Sequence, residues 1–353
     1  MSPGTELTMS GVKGVKVGSY VLDGEHIYIQ SMLNTSAHDI EGSVRQAEEL
    51  EQAGCEIIRA AIPDMEAVKL IPAIKEKISV PLVADIHFDY RLALAAAEAG
   101  IDKIRINPGN IGSREKVKAV VDECRKRHIP IRIGVNGGSL EKELLEKYGS
   151  PTPEALVESA MGHVRILEEL DFEDTVISIK SSDVPTMIKA YRLCREVCDY
   201  PLHLGVTEAG TQRMGIIKSA AGIGSLLCDG IGETIRVSLT DEPVKEVYAA
   251  KDILKAVGRG SGVQIVSCPT CGRTQIDLIG LANKVEEATR DLDKDIKIAV
   301  MGCIVNGIGE GKEADIGIAG GKGKAVIFRK GEQLCTVSEE DALTALLAEI
   351  QKI

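Results

Sequence analysis

The stretch LVADIHFDYRLALAAAEAGIDKIRIN, residues 82–107, decides the fold. It begins with a short apolar run that ends in an aspartate and continues through an alanine-rich helical segment, Leu92–Ala99. Gly100 is placed to end that helix, and a second apolar run, Ile104–Asn107, follows. A strand, a helix and another strand in this order are typical of parallel sheets with helical crossovers. The stretch therefore predicts one unit of an α/β domain.

Similar units recur along the first two thirds of the chain. In the first of them Val44, Ala47 and Leu50 lie on one helical face and Gly54 follows. The predicted strands are Ile27–Ser31, Ile57–Ala60, Leu82–Asp85, Ile104–Asn107, Ile131–Val135, Val176–Lys180, Leu202–Val206 and Thr234–Ser238. Eight strand–helix units over roughly 250 residues predict a (β/α)₈ TIM-type barrel. A doubly wound open sheet is the alternative, but no Gly-x-Gly-x-x-Gly follows the first strand.

The pattern changes after the eighth strand. Residues 1–243 are predicted to form the barrel, and residues 244–262 a boundary made of a helix (Val244–Val257) and a glycine-rich run. Residues 263–353 are predicted as a small α+β domain. Its predicted strands cover 263–267, 296–301, 315–319 and 324–329, and its predicted helices cover 275–292 and 339–352. The glycine-rich stretch 317–324 lacks the ending of a phosphate-binding loop and is interpreted as a hairpin turn.

Composition excludes several classes of protein. The net charge is −11 and aromatic residues make up 3%, which excludes bulk electrostatic binding of nucleic acid and stacking platforms for single strands. No segment is apolar enough to span a bilayer, and residues 1–18 show no signal-peptide pattern. We therefore expect a cytoplasmic protein whose thiols stay reduced. Five of its nine cysteines are interpreted as core residues: Cys55, Cys124, Cys194, Cys198 and Cys228.

Polar residues follow or end nearly every predicted strand. In a (β/α)₈ barrel this end of the strands forms the catalytic mouth. The residues at these positions are Gln30, Arg59, Asp85, His87, Arg105, Asn107, Arg132, Asn136, Lys180, Glu208, Arg236 and Ser238. Four arginines and a lysine in one mouth would repel one another without an anion, and guanidinium groups suit phosphate oxygens. The mouth is predicted to bind more than one phosphate, with Asp85 and Glu208 as candidate acid–base groups.

Three cysteines of the second domain form a candidate metal site. Cys268 and Cys271 follow one predicted strand, and Cys303 follows another within GCIVNGIGE, residues 302–310. All six histidines lie before residue 204, and Cys335 is interpreted as a core residue. Three thiolates without a clear fourth ligand favour a [4Fe–4S] cluster with one distinctive iron. Structural zinc is the main competitor, and the spacing leaves the fourth ligand open.

Six phrases spread over almost the whole chain resemble one family. They are ADIHF (84–88), IRINPGN (104–110), IRIGVN (131–136), GVTEAG (205–210), CPTCGR (268–273) and GCIVNG (302–307), the last continuing to Glu310. In these phrases the chain resembles the 4-hydroxy-3-methylbut-2-en-1-yl diphosphate synthases of the non-mevalonate isoprenoid pathway, in their two-domain bacterial form.

The resemblance implies a reaction, a cofactor and partners. The reaction is the reductive ring opening of 2-C-methyl-D-erythritol 2,4-cyclodiphosphate with loss of a hydroxyl as water. The electrons would come from flavodoxin or ferredoxin, and a homodimer would place the cluster domain of one subunit over the barrel of the other.

The resemblance also implies roles for individual residues. The ligands of the [4Fe–4S] cluster would be Cys268, Cys271, Cys303 and Glu310. The phosphate-binding residues would be Arg105, Asn107, Arg132, Asn136, Lys180, Arg236 and Ser238, and we extend this set to Arg59 and Gln30. The acid–base candidates would be Asp85, His87 and Glu208, with Glu310 leaving its iron when substrate binds.

Two other functions fit parts of the sequence. A zinc-containing barrel enzyme of the aldolase type would use Lys180 to form a Schiff base. A non-catalytic carrier or assembly scaffold for iron–sulfur clusters would use the cysteines alone, but it would have no need of the cationic mouth.

Overall fold

The structure is a computed structural model that describes residues 11–290, 292 and 294–353. Two sequence predictions extend beyond the described residues. The segment without a signal-peptide pattern includes residues 1–10, and the predicted helix 275–292 includes residue 291, all of which lie outside them. The chain divides into two compact units between Arg259 and Gly260, a point inside the predicted boundary 244–262. None of the described helices is long and apolar enough to cross a membrane.

The first unit is a barrel of eight parallel strands. A hairpin of β1 (Val15–Val17) and β2 (Tyr20–Leu22) precedes it. The barrel strands are β3 (Tyr28–Met32), β4 (Ile57–Ala61), β5 (Leu82–Asp85), β6 (Lys103–Ile106), β7 (Ile131–Asn136), β8 (Thr175–Lys180), β9 (His203–Leu204) and β10 (Thr234–Ile235). Their order is β8-β7-β6-β5-β4-β3-β10-β9. A parallel bridge between Ile177 and Leu202 joins the two ends of this sheet, so the predicted barrel is confirmed and the open sheet is wrong.

Each predicted barrel strand is present, but the last two are shorter than predicted. β9 and β10 have two residues each, whereas five were predicted for each. The chain after Leu204 changes hydrogen-bond partners, because Thr207 N donates to the carbonyl oxygen of Ser181 in the loop that follows β8. The residues after β9 and β10 therefore belong to the loops of the mouth.

Ten α-helices surround the barrel. They are α1 (Ile40–Gln52), α2 (Leu70–Lys75), α3 (Tyr90–Glu98), α4 (Pro108–Ile111), α5 (Arg114–Arg127), α6 (Lys142–Tyr148), α7 (Pro153–Glu168), α8 (Val184–Val197), α9 (Gln212–Cys228) and α10 (Pro243–Ala256) among the residues that the structure describes. Side-chain caps start several of them, as at Asp89, which accepts from the N–H of Arg91. Gly100 follows α3 with φ +87°, a conformation that favours glycine.

Successive side chains along each barrel strand point alternately into two environments. On β5, Leu82 and Ala84 pack outward into the apolar layer beneath the helices, whereas Val83 and Asp85 face the barrel interior. The outer layer is rich in isoleucine, valine and alanine and supplies most of the apolar burial. The interior above Val83 is polar, and it leads to the mouth.

The N-terminal hairpin closes the amino end of the barrel and was not predicted from the sequence. One apolar cluster joins the hairpin to the first residues of three strands, and its buried members are Val15, Val17, Leu22, Ile57, Val83 and Val176. The hairpin therefore excludes water from the end opposite the mouth.

In the second unit the described residues form a five-stranded sheet and three helices. Its elements are β11 (Gln264–Ser267), α11 (Leu278–Thr289), β12 (Lys297–Met301), α12 (Ile304–Glu310), β13 (Ile316–Gly321), β14 (Lys324–Arg329), β15 (Glu332–Ser338) and α13 (Ala342–Ile350). The sheet follows chain order, with β11, β12 and β13 parallel and the last two pairs antiparallel. The predicted hairpin turn in 317–324 is confirmed by the pairing of Gly321 with Lys324.

Two features of the second unit differ from the sequence interpretation. The glycine-rich segment after Cys303 forms the helix α12, and the strand β15 was not predicted. The helix predicted within the boundary, α10, packs against the barrel, since its buried Glu246 hydrogen-bonds Ser31 of β3.

Candidate functional site

The barrel interior is lined by cations, where such barrels usually contain branched apolar residues. Arg59, Lys103, Arg105 and Arg132 are at most 6% exposed. All four lie on the strands β4, β6 and β7, so the parallel sheet fixes their spacing. Lys180 at the end of β8 and Arg236 just after β10 extend this set to the mouth.

Asp85 is the counter-charge at the centre of this set. Its Oδ1 accepts from Nη1 of Arg105 at 3.1 Å, and its Oδ2 lies 3.3 Å from Nε2 of His87 and 3.9 Å from Nε of Arg59. Burial alone would raise the pKa of this carboxyl, but Arg59, the hydrogen bond from His87 and Arg105 together hold it well below its usual range. Asp85 is therefore ionised at neutral pH and orients its three partners.

The deepest polar groups lack partners among the described residues. Nε and Nη2 of Arg132, Nζ of Lys103 and Nε2 of Gln30 are buried without a hydrogen bond, while Nη1 of Arg132 lies 3.5 Å from Oε1 of Gln30. Burial first, and neighbouring guanidiniums second, hold the pKa values of Arg132 and Lys103 well below their usual ranges. Buried donors without acceptors favour an anion or ordered water between them. The predicted anion site gains Lys103, which the sequence analysis missed.

The IRIGVN phrase has a steric role in this site. The guanidinium of Arg105 lies across Gly134, where an added Cβ would meet its Nε at 2.5 Å. Any other residue at 134 would displace Arg105 from Asp85. The glycine is therefore part of the anion site although it has no side chain.

The pKa of Lys180, at the end of β8, is strongly lowered. Burial lowers its pKa, and Arg59, Arg105 and Arg132 lower it further, to about 6, although Asp85 partly offsets them. The amine is thus mostly uncharged at neutral pH until an anion enters.

A buried carboxylate that the sequence analysis missed holds Arg236. Glu246 of α10 is 3% exposed, and its Oε1 lies 3.3 Å from Nη2 of Arg236. The same carboxylate accepts from Oγ of Ser31 at 2.8 Å and from the N–H of Leu239 at 3.0 Å. The sequence contains a signal for Glu246. This acidic residue lies on the same face of α10 as Ala250, and that face is otherwise apolar.

Two asparagines of the predicted phosphate site cap the turns that follow their strands. Oδ1 of Asn107 accepts from the N–H of Gly109 at 3.0 Å, and Oδ1 of Asn136 accepts from the N–H of Gly138 at 3.2 Å. The backbone therefore fixes the orientation of both amides at the mouth.

Part of the predicted site lines one cavity. Arg59, Lys180, Arg236 and Ser238 share it with His203, which the sequence analysis also missed. His203 is buried, its Nδ1 lies 2.7 Å from Oγ1 of Thr234, and burial with the nearby cations holds its pKa well below its usual range.

The remaining acid–base candidates lie nearer the solvent. The His87 side chain is 54% exposed. Glu208 is exposed on the loop after β9, and its φ of +51° is unusual for a residue that is not glycine. Such backbone strain is concentrated at functional sites.

The sheet of the second unit brings the cysteine loops together. β11 and β12 are parallel neighbours, with Ser267 opposite Val300, so Cys268 and Cys303 follow strand ends at the same edge. The N–H of Gly302 donates to Sγ of Cys268 at 3.2 Å. Cys271 is exposed, and the backbone N–H of Arg273 lowers the pKa of its thiol.

Glu310 is the fourth ligand that the family resemblance implied. It is the exposed last residue of α12, seven positions after Cys303. Cys303 is the N-cap of α12 and has an extended backbone, with φ −147°, so the whole of that helix separates it from Glu310 along the chain. Within residues 11–290, 292 and 294–353, no three histidine, cysteine, aspartate or glutamate side chains lie close enough together to hold a metal. All four ligands, Cys268, Cys271, Cys303 and Glu310, therefore stay predictions.

Five other cysteines were interpreted as core residues. Cys55, Cys124 and Cys194 are buried, as expected. Cys198 is partly exposed and Cys228 is exposed, so that interpretation was wrong for Cys228, which ends α9 at the surface.

The fold and site define a two-domain barrel protein with a cationic mouth and a second domain that carries paired cysteine loops. Residues 12–251 match the GcpE TIM-barrel domain, and residues 264–352 match the GcpE protein C-terminal domain. The chain belongs to the GcpE family.

Similar curated proteins agree with this assignment. A protein of Clostridium perfringens is 61% identical over 341 residues, covering 96% of this chain and 98% of the relative. One of Caldanaerobacter subterraneus is 58% identical and covers 96% of both chains. Both are named 4-hydroxy-3-methylbut-2-en-1-yl diphosphate synthase (flavodoxin).

Solved structures resemble the barrel. Dihydropteroate synthase of Stenotrophomonas maltophilia has a TM-score of 0.52 at 13% identity, covering 69% of this chain and 98% of its own. The enzyme of Yersinia pestis has a TM-score of 0.51 at 15% identity and the same coverage. At these identities the likeness concerns the fold alone.

Proposed function

We propose that this chain catalyses the reductive ring opening of 2-C-methyl-D-erythritol 2,4-cyclodiphosphate to 4-hydroxy-3-methylbut-2-enyl diphosphate. This reaction is supported by the shared name of the similar proteins, which match nearly the full chain. The observation that carries it is the interior itself, in which the buried cations outnumber the two buried carboxylates, Asp85 and Glu246, that contact them.

The substrate would neutralise this interior. A cyclic diphosphate offers oxygens to Arg105 and Arg132 inside the barrel and to Lys180, Arg236 and Ser238 at its edge. Guanidinium groups held by Asp85 and by Glu246 are already oriented, so less side-chain entropy is lost on binding. Gln30, Arg59, Asn107 and Asn136 complete the proposed binding set.

The second unit is proposed to hold a [4Fe–4S] cluster on Cys268, Cys271, Cys303 and Glu310. The donor set fits, because thiolates select iron–sulfur clusters and the N–H of Gly302 already donates to sulfur of Cys268. Glu310 would be the most weakly held of the four proposed ligands, because a carboxylate is a harder ligand than a thiolate. When bound, such a cluster supplies electrons one at a time.

Proton delivery is assigned to the chain's own carboxyl groups. Departure of a hydroxyl as water needs one proton, and exposed Glu208 on the mouth loop is the proposed donor. Asp85 is too strongly held in its ionised form to donate and instead orients Arg105 and His87.

Flavodoxin is the proposed electron donor, since the names of the similar proteins include it, and ferredoxin is the alternative. We also propose a cytoplasmic homodimer in which one subunit's cysteine domain serves the other's barrel.

The Schiff-base aldolase is not favoured by the family assignment, although a lysine with a pKa of about 6 would suit that chemistry. Colour separates the two functions. Protein purified without oxygen should be brown, with broad absorption from the cluster, whereas a colourless protein with one zinc would refute the proposal.

The direct test is anaerobic reconstitution with iron and sulfide, followed by an assay with the cyclic diphosphate and a chemical reductant. We expect the linear diphosphate as product. Replacing Arg105 or Arg132 by methionine should abolish turnover while the absorption spectrum is unchanged. Loss of the spectrum in these barrel variants would instead favour the scaffold function.

A further inference from the structure

Two cysteines outside the proposed active site are in contact. Sγ of Cys194, on the last turn of α8, lies 3.7 Å from Sγ of Cys198, which follows the helix with an extended backbone. α8 returns from the carboxyl end of β8 toward the amino end of β9. The pair therefore lies at the end of the barrel opposite the mouth.

The two thiols have different surroundings. Cys194 is fully buried, whereas Cys198 is partly exposed. The hydrogen bond from Cys194, then the N–H of Tyr200 and the guanidinium of Arg195, lower the pKa of Cys198 although burial and Asp199 oppose them. The same hydrogen bond and burial raise the pKa of Cys194. An accessible thiol that ionises readily beside a second thiol is the arrangement found in redox-responsive cysteine pairs.

The surrounding contacts hold the pair in place. Nη1 of Arg195 donates to the carbonyl oxygen of Tyr200 at 3.1 Å, and its Nη2 lies 3.1 Å from both carboxylate oxygens of Glu233. Glu233 also accepts from the N–H of Leu202, which begins the approach to β9. Residues 195–202 are thus anchored on both sides of Cys198, and the sulfurs need only a short approach to bond.

We propose that Cys198 and Cys194 are an oxidation site that hydroperoxides convert to a reversible disulfide. The Cys198 thiolate attacks the hydroperoxide and breaks its O–O bond. One oxygen stays on the sulfur as sulfenic acid, and the other takes up a proton from solvent and leaves as the alcohol or, from hydrogen peroxide, as water. The Cys194 thiol then attacks that sulfur, the S–S bond forms, and the sulfenic oxygen leaves as water with the Cys194 proton. The hydroperoxide is the two-electron oxidant, and an external dithiol reverses the step.

Peptide mapping tests this site in the full-length protein. Reconstituted protein is treated anaerobically with limiting hydrogen peroxide, blocked with iodoacetamide and digested with trypsin. Cleavage after Arg192, Arg195 and Arg213 separates Cys194 from Cys198, so only a disulfide keeps the fragments 193–195 and 196–213 joined. We expect this joined pair, its loss after dithiothreitol, and Cys198 oxidised at least about tenfold faster than exposed Cys228.

Three variants assign the order of events. Cys194→Ser should leave Cys198 as a sulfenic acid that dimedone traps, and Cys198→Ser should leave Cys194 unoxidised. Cys228→Ser is the matched control and should still give the joined fragments. The proposal is overturned if wild-type protein gives no joined fragments at a dose that oxidises Cys228. It is equally overturned if Cys194 reacts as fast in Cys198→Ser as Cys198 does in wild type.

Discussion

At the scale of single residues, the mouth depends on side chains that hold the proposed phosphate ligands in place. Glu246 contacts Arg236, Ser31 and the N–H of Leu239 at once, so it fixes one proposed phosphate ligand to a strand and to a loop. Loss of its charge leaves the Arg236 guanidinium free to adopt other rotamers. Misplacement of a binding group by about 1 Å can cost about a hundredfold in rate.

We therefore predict that Glu246→Gln lowers kcat/KM for the cyclic diphosphate by about tenfold to a hundredfold, mainly through KM. Steady-state kinetics of the reconstituted enzyme measure it. Glu233→Gln is the matched control, because it breaks a similar buried pair with Arg195 at the other end of the barrel. Equal losses of kcat/KM in the two variants, or an unchanged KM in Glu246→Gln, would show that the role of Glu246 is purely structural.

Lys180 makes anion binding depend on pH. Its pKa of about 6 in the free protein means that it is mostly uncharged at neutral pH. A bound diphosphate raises this pKa, so binding takes up a proton, and affinity is highest below about pH 6 and falls as pH rises through that value.

Calorimetry in buffers of different ionisation enthalpy measures this uptake. We predict net proton uptake for wild type at neutral pH and its loss in Lys180→Met. Lys284→Met, at an exposed position of the second unit, should behave as wild type. Unchanged uptake in Lys180→Met would assign the proton to another group.

At the scale of elements, the contribution of the N-terminal hairpin to stability can be tested on its own. Leu22 is fully buried against the first residues of the strands, while its neighbour Val21 is 43% exposed. We predict that Leu22→Ala lowers the free energy of unfolding by about 2–5 kcal/mol, because a cavity forms beneath the barrel. Urea titration followed by circular dichroism measures it. Val21→Ala is the control on the same hairpin, and a loss as large as that of Leu22→Ala would show that hairpin propensity, not burial, sets the effect.

The elements also show what the sequence could and could not predict. All eight barrel strands were predicted, because buried parallel strands are continuous apolar runs ending in polar residues. The hairpin β1–β2 was missed, since its two strands have only three residues each. α12 was missed because its glycines at 307 and 309 oppose helix formation, and the helix depends on packing against β13.

The site was predictable where polar residues lie in or just after the predicted strands and unpredictable where they do not. Arg105 and Arg132 follow from the alternation of their strands. Lys103 lies two positions before Arg105 on the same face, so alternation also pointed to it, but it precedes the predicted strand Ile104–Asn107. Glu246 could not be paired with Arg236 before α10 was known to pack on β3 and to belong to the barrel.

At the scale of the whole molecule, the proposed homodimer predicts how many intact active sites a mixed dimer contains. In the proposed homodimer each active site takes its barrel from one subunit and its cysteine domain from the other. A barrel variant, Glu208→Gln, and a cysteine variant, Cys268→Ser, each inactivate both sites of their own dimer. In a mixed dimer one site receives both substitutions, and the other site receives neither.

Co-expression of Glu208→Gln with Cys268→Ser should therefore restore activity that neither variant has alone. Random pairing makes half of the dimers mixed, each with one intact site, so about a quarter of wild-type activity is expected. Separate affinity tags on the two chains allow the mixed dimer to be purified, and it should contain one cluster for each dimer. If each chain instead closes its own cysteine domain over its own barrel, every site carries one inactivating substitution and the mixed dimer is inactive. The same preparation distinguishes the two arrangements because it changes only which subunit supplies each half of the site.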